Sequence, residues 1–126
     1  MVKWVCYPTS DEPDMWTDWL RRRNAAVKGR HATVMRFLLA GHWEKPHFKM
    51  LRGGHLKGLG EIIIKTDVQW RLIGRYERSN ETFTLTMICY HKERVYIPHD
   101  ALEIAMERWK EMKNGLKGIM LNAHPT

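Results

Sequence analysis

The chain has 126 residues, of which 44% are hydrophobic, and 21 lysines and arginines against 14 aspartates and glutamates give it a net charge of +7. This length predicts a single domain over residues 1–126. Because the sequence has neither an apolar run long enough to cross a membrane nor the apolar segment of a signal peptide, we expect a cytoplasmic protein without a membrane partner. The positive charge favours RNA, DNA or an acidic protein as the partner.

The first third of the chain predicts one strand followed by two helices. Residues 2–7 alternate loosely and are rich in Val, Trp and Tyr, which is typical of a strand. Residues 9–13 combine small polar caps, acids and a proline, so they predict the start of a helix whose apolar residues recur at helical spacing as far as Leu20. A second helix is predicted over about residues 24–40, with Gly41 as its C-terminal cap.

The remaining sequence predicts a meander of strands and a last helix. Residues 48–58 predict an exposed basic loop. Three strands with short, antiparallel connections are predicted at residues 59–66, 69–78 and 82–91. Residues 95–97 suit a short last strand, Pro98 begins a helix that runs to about Asn114, and residues 115–126 form a C-terminal tail. The order β-α-α-β-β-β-α predicts an α+β domain, in which an antiparallel sheet carries helices packed on one face.

Neither the cysteines nor the histidines predict a metal site. Cys6 and Cys89 lie in apolar segments without a Cys-x-x-Cys pair, so we expect buried, reduced thiols, and a disulfide would require their strands to be neighbours. His42 and His47 lie in a loop at a spacing unlike that of zinc ligands. We therefore predict no metal and no cofactor.

Alternation along the strands predicts one sheet face that carries cations. Residues assigned to this face are Glu61, Ile63, Lys65, Arg71, Ile73, Arg75, Thr84, Thr86, Ile88, Tyr90 and Lys92. By the same parity His91 falls on the core face, although a bend at the strand end would turn it outward. A basic sheet face suits RNA, because Lys and Arg bind phosphates and a Tyr can stack on a splayed base.

Such a face holds the groups that RNA cleavage needs. With the 2′-OH as nucleophile, the reaction needs a base for its proton, cations for the charge that develops on the phosphate, and an acid for the leaving oxygen. His91, Glu61 or Tyr90 can exchange protons, while Arg71, Arg75 or Lys92 can stabilise charge. The alternative is a solvated sheet face with ordinary surface charges.

Four short motifs then resemble a known family. Residues 49–62, KMLRGGHLKGLGEI, are similar to K-x-L…L-x-G-L-x-E-[LI]-R. Residues 70–73, WRLI, are similar to Y-R-[VL]-[LIV]. Residues 83–90, with Lys92 and Pro98, resemble a strand ending in F-x-K-K and the proline that opens the last helix. Together with the helix at residues 101–108, these motifs resemble the RelE/HigB-like toxins, especially the phage-derived HigB-type branch, over about half of the chain.

The resemblance implies a RelE-like fold and a toxin-type mRNA endoribonuclease of a toxin–antitoxin system. Such a toxin acts on translated mRNA at the ribosome and is neutralised by a cognate antitoxin protein. The catalytic candidates are Arg71, Arg75, Tyr90, His91 and Lys92. The basic loop and the neighbouring strand add the RNA-binding candidates Lys49, Arg52, His55, Lys57 and Lys65.

The sequence departs from the family pattern at two basic positions, which hold Ile63 and Glu93. Lys65 can replace the first cation on the same face. The alternative is therefore a non-catalytic module on the same fold, of phage origin, that binds nucleic acid or a protein partner.

Overall fold

A computed structural model of the chain describes residues 1–9, 14–121 and 125. In these residues there are three α-helices, which are α1 (Met15–Arg21), α2 (Ala25–Leu39) and α3 (Ala101–Lys113). The strands are β1 (Lys3–Cys6), β2 (Phe48–Met50), β3 (Gly60–Lys65), β4 (Gln69–Glu77), β5 (Thr82–Lys92), β6 (Val95–Ile97) and β7 (Ile119–Met120). The predicted α+β class is confirmed, whereas the predicted element order lacked β2 and β7.

Side-chain caps mark the starts of α1 and α2. The Asp14 carboxylate accepts a hydrogen bond of 3.1 Å from the Thr17 amide, and the Asn24 side chain accepts one of 3.0 Å from the Val27 amide. Each cap satisfies an amide that has no partner within its helix. Gly41, with φ of 96°, follows the end of α2 as predicted. The predicted helix start at residues 9–13 lies, from residue 10 onward, outside the described residues.

The sheet is mixed, with strand order β2-β3-β4-β5-β1-β7, and β6 pairs with β5. Strands β2 to β6 are antiparallel to their neighbours, but β1 runs parallel to β5, with Trp4 opposite Phe83. The expectation of a purely antiparallel sheet was therefore wrong. A parallel pair needs a long crossover, and the chain between β1 and β5 supplies one that includes α1 and α2.

Helices cover both faces of the sheet, so the prediction of helices on one face was also wrong. Helices α1 and α2 pack on the face that carries Phe83 and Leu72, which we call the α1–α2 face. Helix α3 packs on the opposite face, the α3 face, where Ala101 and Ala105 join a cluster with Ile73. The middle of the sheet is apolar on both sides, and each side requires a cover from water.

A β-bulge at Thr86 interrupts β5. Ile73 of β4 lies opposite Met87, while the next residue, Gly74, lies opposite Leu85, so Thr86 is an extra residue in β5. The buried Thr86 hydroxyl donates to the Ile73 carbonyl over 3.2 Å. An extra residue leaves the ladder locally unpaired and reverses which side chains face which side beyond it.

The bulge corrects the sequence-based assignment of faces on β5. Register places Tyr90 opposite Trp70, on the α1–α2 face, and places His91 opposite Gln69, on the α3 face. Lys92 follows Tyr90 onto the α1–α2 face. The predicted positions of Tyr90 and Lys92 on the cationic face, and of His91 on the core face, were therefore wrong, because regular alternation does not continue through Thr86.

Segments predicted as a loop and a tail contribute to the sheet. Within the predicted exposed loop, Phe48 begins β2 and both Phe48 and Leu56 are buried. Residues Ile119–Met120 of the predicted tail pair with β1 as β7. Cys6 and Cys89 are buried and form no disulfide, as predicted. Among the described helices, none has the length and apolar character needed to span a membrane.

Gly74 provides a test of the bulge. An added Cβ at Gly74 would collide with the Thr84 carbonyl oxygen and lie 2.8 Å from the Phe83 ring. We expect Gly74→Ala to lower the free energy of unfolding by about 1–3 kcal/mol, as overpacking does, when measured by urea denaturation.

The matched control is Gly29→Ala in α2, where an added Cβ has no neighbouring atom within 4 Å. We expect this variant to raise the free energy of unfolding by about 0.5–1 kcal/mol, because alanine favours a helix interior over glycine. Equal unfolding midpoints for the two variants would contradict the bulged register.

Candidate active site

A cleft of about 310 Å³ opens on the α3 face of the sheet, and we call it the Arg71 cleft. Alternation along β3 brings Glu61, Ile63 and Lys65 to this face, and Arg71 of β4 lies opposite Ile63. The cleft is lined by Lys45, Pro46, Lys49, Glu61, Ile63, Lys65, Arg71 and His91. Elements from four parts of the chain therefore converge on one cationic depression.

A buried ionic cluster forms the inner wall of the cleft. Arg71 Nε lies 3.7 Å from Glu61 Oε1, and the side chains of Arg71 and Glu61 are 8% and 3% exposed. Glu61 Oε2 accepts a hydrogen bond of 2.7 Å from the Tyr96 hydroxyl, and Arg71 Nη1 donates one of 2.8 Å to the Trp70 carbonyl. Removing such charges from water is costly unless they are paired, so this pairing holds both side chains in place.

Two nitrogen atoms at the cleft lack hydrogen-bond partners among the residues described. Arg71 Nε and His91 Nε2 are buried without one, and the 3.7 Å between Arg71 and Glu61 is too long for a hydrogen bond. Leaving a buried donor or acceptor unsatisfied costs about 1–3 kcal/mol. A ligand that places polar oxygens in the cleft would recover part of this cost, so the two unsatisfied nitrogens favour a binding site.

The environment of His91 favours its neutral form. Burial lowers the pKa of His91, the charges of Arg71 and Lys49 lower it further, and the Glu61 carboxylate opposes them. A neutral imidazole near pH 7 can accept a proton, which is the requirement for a general base. The ring also lies edge-on to Tyr96, with 4.3 Å between ring centroids.

The neighbouring titratable groups are held in their protonated forms. Burial and the hydrogen bond to Glu61 raise the pKa of Tyr96, so its phenol remains a donor to that carboxylate. Burial raises the pKa of Cys89 to about 12, and the Glu61 charge contributes, so the thiol is a poor nucleophile near neutral pH. In the described part of the chain, no group of three or more His, Cys, Asp or Glu side chains is arranged to hold a metal ion.

Some of the predicted site residues meet in the Arg71 cleft, and others lie elsewhere. The cleft brings together Arg71, His91, Lys49 and Lys65. Tyr90 instead contacts Trp70 edge-on, with 5.6 Å between ring centroids. The exposed Lys92 follows Tyr90 on the α1–α2 face, the exposed His55 lies in the 3-10 turn Gly54–Leu56, and Arg52 lines a neighbouring cleft.

Arg75 and Lys57 belong to a separate cleft of about 500 Å³, the Arg75 cleft, which also includes Glu77, Trp109 and Lys113. Ile73, fully buried under α3, lies between Arg71 and Arg75 on the same face of β4. Arg75 pairs with Glu77 at 3.0 Å and lies 5.4 Å from the centroid of the Trp109 ring. Helix α3 therefore divides the predicted cationic face into two clefts.

The two departures from the family pattern have different positions. Ile63 lines the Arg71 cleft and is only 7% exposed, so an apolar side chain replaces a cation inside the site. Glu93 is exposed in the two-residue turn between β5 and β6, with φ of 52°, and does not line the cleft. Only the Ile63 departure therefore changes the lining of the cleft.

Sequence reasoning missed Tyr96 and Lys45 as site residues. A signal for Tyr96 was present, because a two-residue turn at residues 93–94 pairs His91 with Tyr96 across the β5–β6 hairpin. Lys45 enters the cleft from the loop before β2, and the Ile63 amide donates a hydrogen bond of 2.9 Å to the His47 carbonyl in that loop. No local pattern in the sequence indicates this contact.

The pKa of His91 is a direct test of the cluster. We expect NMR titration to give His91 a pKa below 6.5, the ordinary value for histidine. Lys49→Gln should raise this pKa, because it removes a positive charge near the ring. Lys28→Gln, which removes an exposed charge from α2, should leave it unchanged. A His91 pKa at or above 6.5 would show that the ring is solvated or paired with Glu61.

Comparison of the chain with protein-family models, with curated proteins and with solved structures finds no significant match. The resemblance of residues 49–108 to the RelE/HigB-like toxins therefore remains a prediction. The geometry of the Arg71 cleft is the stronger basis for a functional assignment.

Proposed function

We propose that this chain is a toxin-type mRNA endoribonuclease and that the Arg71 cleft is its active site. The observation that supports this most is the placement of His91, with its lowered pKa, beside the Arg71 guanidinium in one cleft. A neutral base and a fixed cation are two of the groups that phosphodiester cleavage requires. The lysines at the rim, Lys45, Lys49 and Lys65, can bind the flanking phosphates.

In the proposed reaction, the ribose 2′ oxygen attacks the adjacent phosphorus and the bond from phosphorus to the 5′ oxygen breaks. His91 takes the proton of the 2′-OH, and the leaving 5′ oxygen takes a proton from solvent at the open side of the cleft. Arg71 stabilises the charge that develops on the phosphate oxygens. Glu61 does not touch the substrate in this scheme and acts as a positioning residue for Arg71, with Tyr96 holding its second oxygen.

The biological setting of the proposal comes from the resemblance described above. It implies cleavage of translated mRNA at the ribosome in the cytoplasm and neutralisation by a cognate antitoxin protein. The net charge of +7 is compatible with both expectations, because RNA and an acidic partner are each attracted to a basic surface.

A second candidate is a non-catalytic module that binds nucleic acid or a protein partner. Two observations favour it: Ile63 stands where the family has a cation, and Glu61 compensates the charge of Arg71. Under this alternative the Glu61–Arg71 pair stabilises the fold and the rim lysines alone bind the partner.

The test is cleavage of a single-stranded RNA by wild-type protein, His91→Gln and Arg71→Gln, with growth and mRNA integrity followed in bacteria that express each. We expect each variant to reduce the cleavage rate by about 10²–10⁴-fold, as loss of a general base or of an electrostatic stabiliser does. We also expect both variants to relieve growth arrest.

Lys28→Gln is the control for the loss of one exposed charge and should cleave like the wild type. Because Arg71 is buried, Arg71→Gln is compared by urea denaturation, and His91→Gln keeps the test valid if Arg71→Gln fails to fold. Folded wild-type protein that binds RNA but neither cleaves it nor slows growth would favour the non-catalytic module.

A further inference from the structure

Two more clefts adjoin the Arg71 cleft, one on each side. A cleft of about 370 Å³ along the edge strand β2 shares Lys45 and Lys49 with it and extends to Arg52. A cleft of about 340 Å³ between the β3–β4 turn and the start of α2 shares Lys65 with it and extends to Arg30. Shared lining residues make the three clefts one continuous groove with the Arg71 cleft at its centre.

Charge and exposed apolar surface both occur at the two ends of this groove. Arg52 at one end lies in the same cleft as Met50, which is 52% exposed, and Arg30 at the other end lies in the same cleft as Val68, which is 38% exposed. A free phosphate ion would use only the cations. A nucleotide has a charged phosphate and an apolar base face, so its chemistry fits both.

We propose that this groove binds a single strand of RNA across the site, with Arg30 and Lys45 contacting phosphates on either side of the scissile bond. The proposal deepens the proposed function and depends on it for the identity of the ligand. It assigns Arg30 of α2, which no sequence motif indicated, to the binding surface. It also places the strand over the β3–β4 turn, away from the Arg75 cleft.

The Arg75 cleft is the competing path, and the structure disfavours it. It shares no lining residue with the three clefts of the groove, and Arg75 is already engaged by Glu77 and the Trp109 ring. A strand leading from Arg71 to Arg75 would have to pass α3, which covers Ile73 between them. The groove through Lys65 has no such barrier.

The experiment measures binding of a fluorescent, 2′-O-methylated single-stranded RNA of about eight nucleotides by fluorescence anisotropy. The methylated RNA has no 2′-OH nucleophile, so binding is measured apart from cleavage. We expect the double variant Arg30→Gln/Lys45→Gln to weaken binding about tenfold. The slope of log Kd against log salt should fall by about 1.4, from about 0.7 for each lost phosphate contact on a single strand.

The matched control is Lys110→Gln/Lys113→Gln on α3, which removes the same charge at exposed positions, one of them in the Arg75 cleft. We expect its affinity to stay within about twofold of the wild type. Affinity should also rise at least about tenfold from a dinucleotide to the longer RNA, because an extended groove has several contacts. An equal loss in the control, or an affinity independent of length, overturns the groove.

The outcomes also separate the groove from the proposed function. Groove-dependent binding by a wild-type protein that cleaves no RNA would refute the endoribonuclease and leave the groove as a binding site. Cleavage that depends on His91 and Arg71, combined with binding that is insensitive to Arg30 and Lys45, would support the enzyme and overturn the groove. Wild-type protein that binds no RNA at low salt would overturn both.

Discussion

The hydrogen bonds around Thr86 determine how β5 presents its second half to the rest of the molecule. The Thr86 hydroxyl bonds the Ile73 carbonyl of β4, and the Thr86 carbonyl accepts a bond of 2.9 Å from Arg108 of α3. The same guanidinium lies 4.9 Å from the centroid of the Tyr7 ring, whose hydroxyl donates to Glu111 over 2.6 Å. The bulge and the docking of α3 therefore stabilise one another.

The docked α3 in turn decides how the cations of the α3 face are used. With apolar residues in the middle of β4 and β5 on both faces, α3 has to cover Ile73 and Cys89. Arg71 and Arg75 are four residues apart on one strand face but line different clefts as a result. Arg71 is left beside His91 and Glu61, where burial makes charge and protonation strongly interdependent.

Regular local patterns explain what the sequence could predict. The helices, the β3–β4–β5 meander and the shared face of Glu61, Lys65 and Arg71 follow from periodicity and short turns, and the structure confirms them. The parallel pairing of β1 with β5 and the placement of α3 on the second face depend on contacts between distant segments. No local propensity encodes such contacts, so strand alternation alone misassigned Tyr90 and His91.

The bulge has a consequence for how such a site can change over generations. A substitution in β5 alters one side chain, whereas loss of a single residue at position 86 would restore regular alternation and turn every residue after it to the other face. Tyr90 would then take the place beside Arg71 that His91 holds, and a phenol would replace an imidazole without any codon for either residue being altered. Relatives of this chain that differ by one residue in β5 are therefore expected to carry different proton-transfer groups on an otherwise unchanged scaffold.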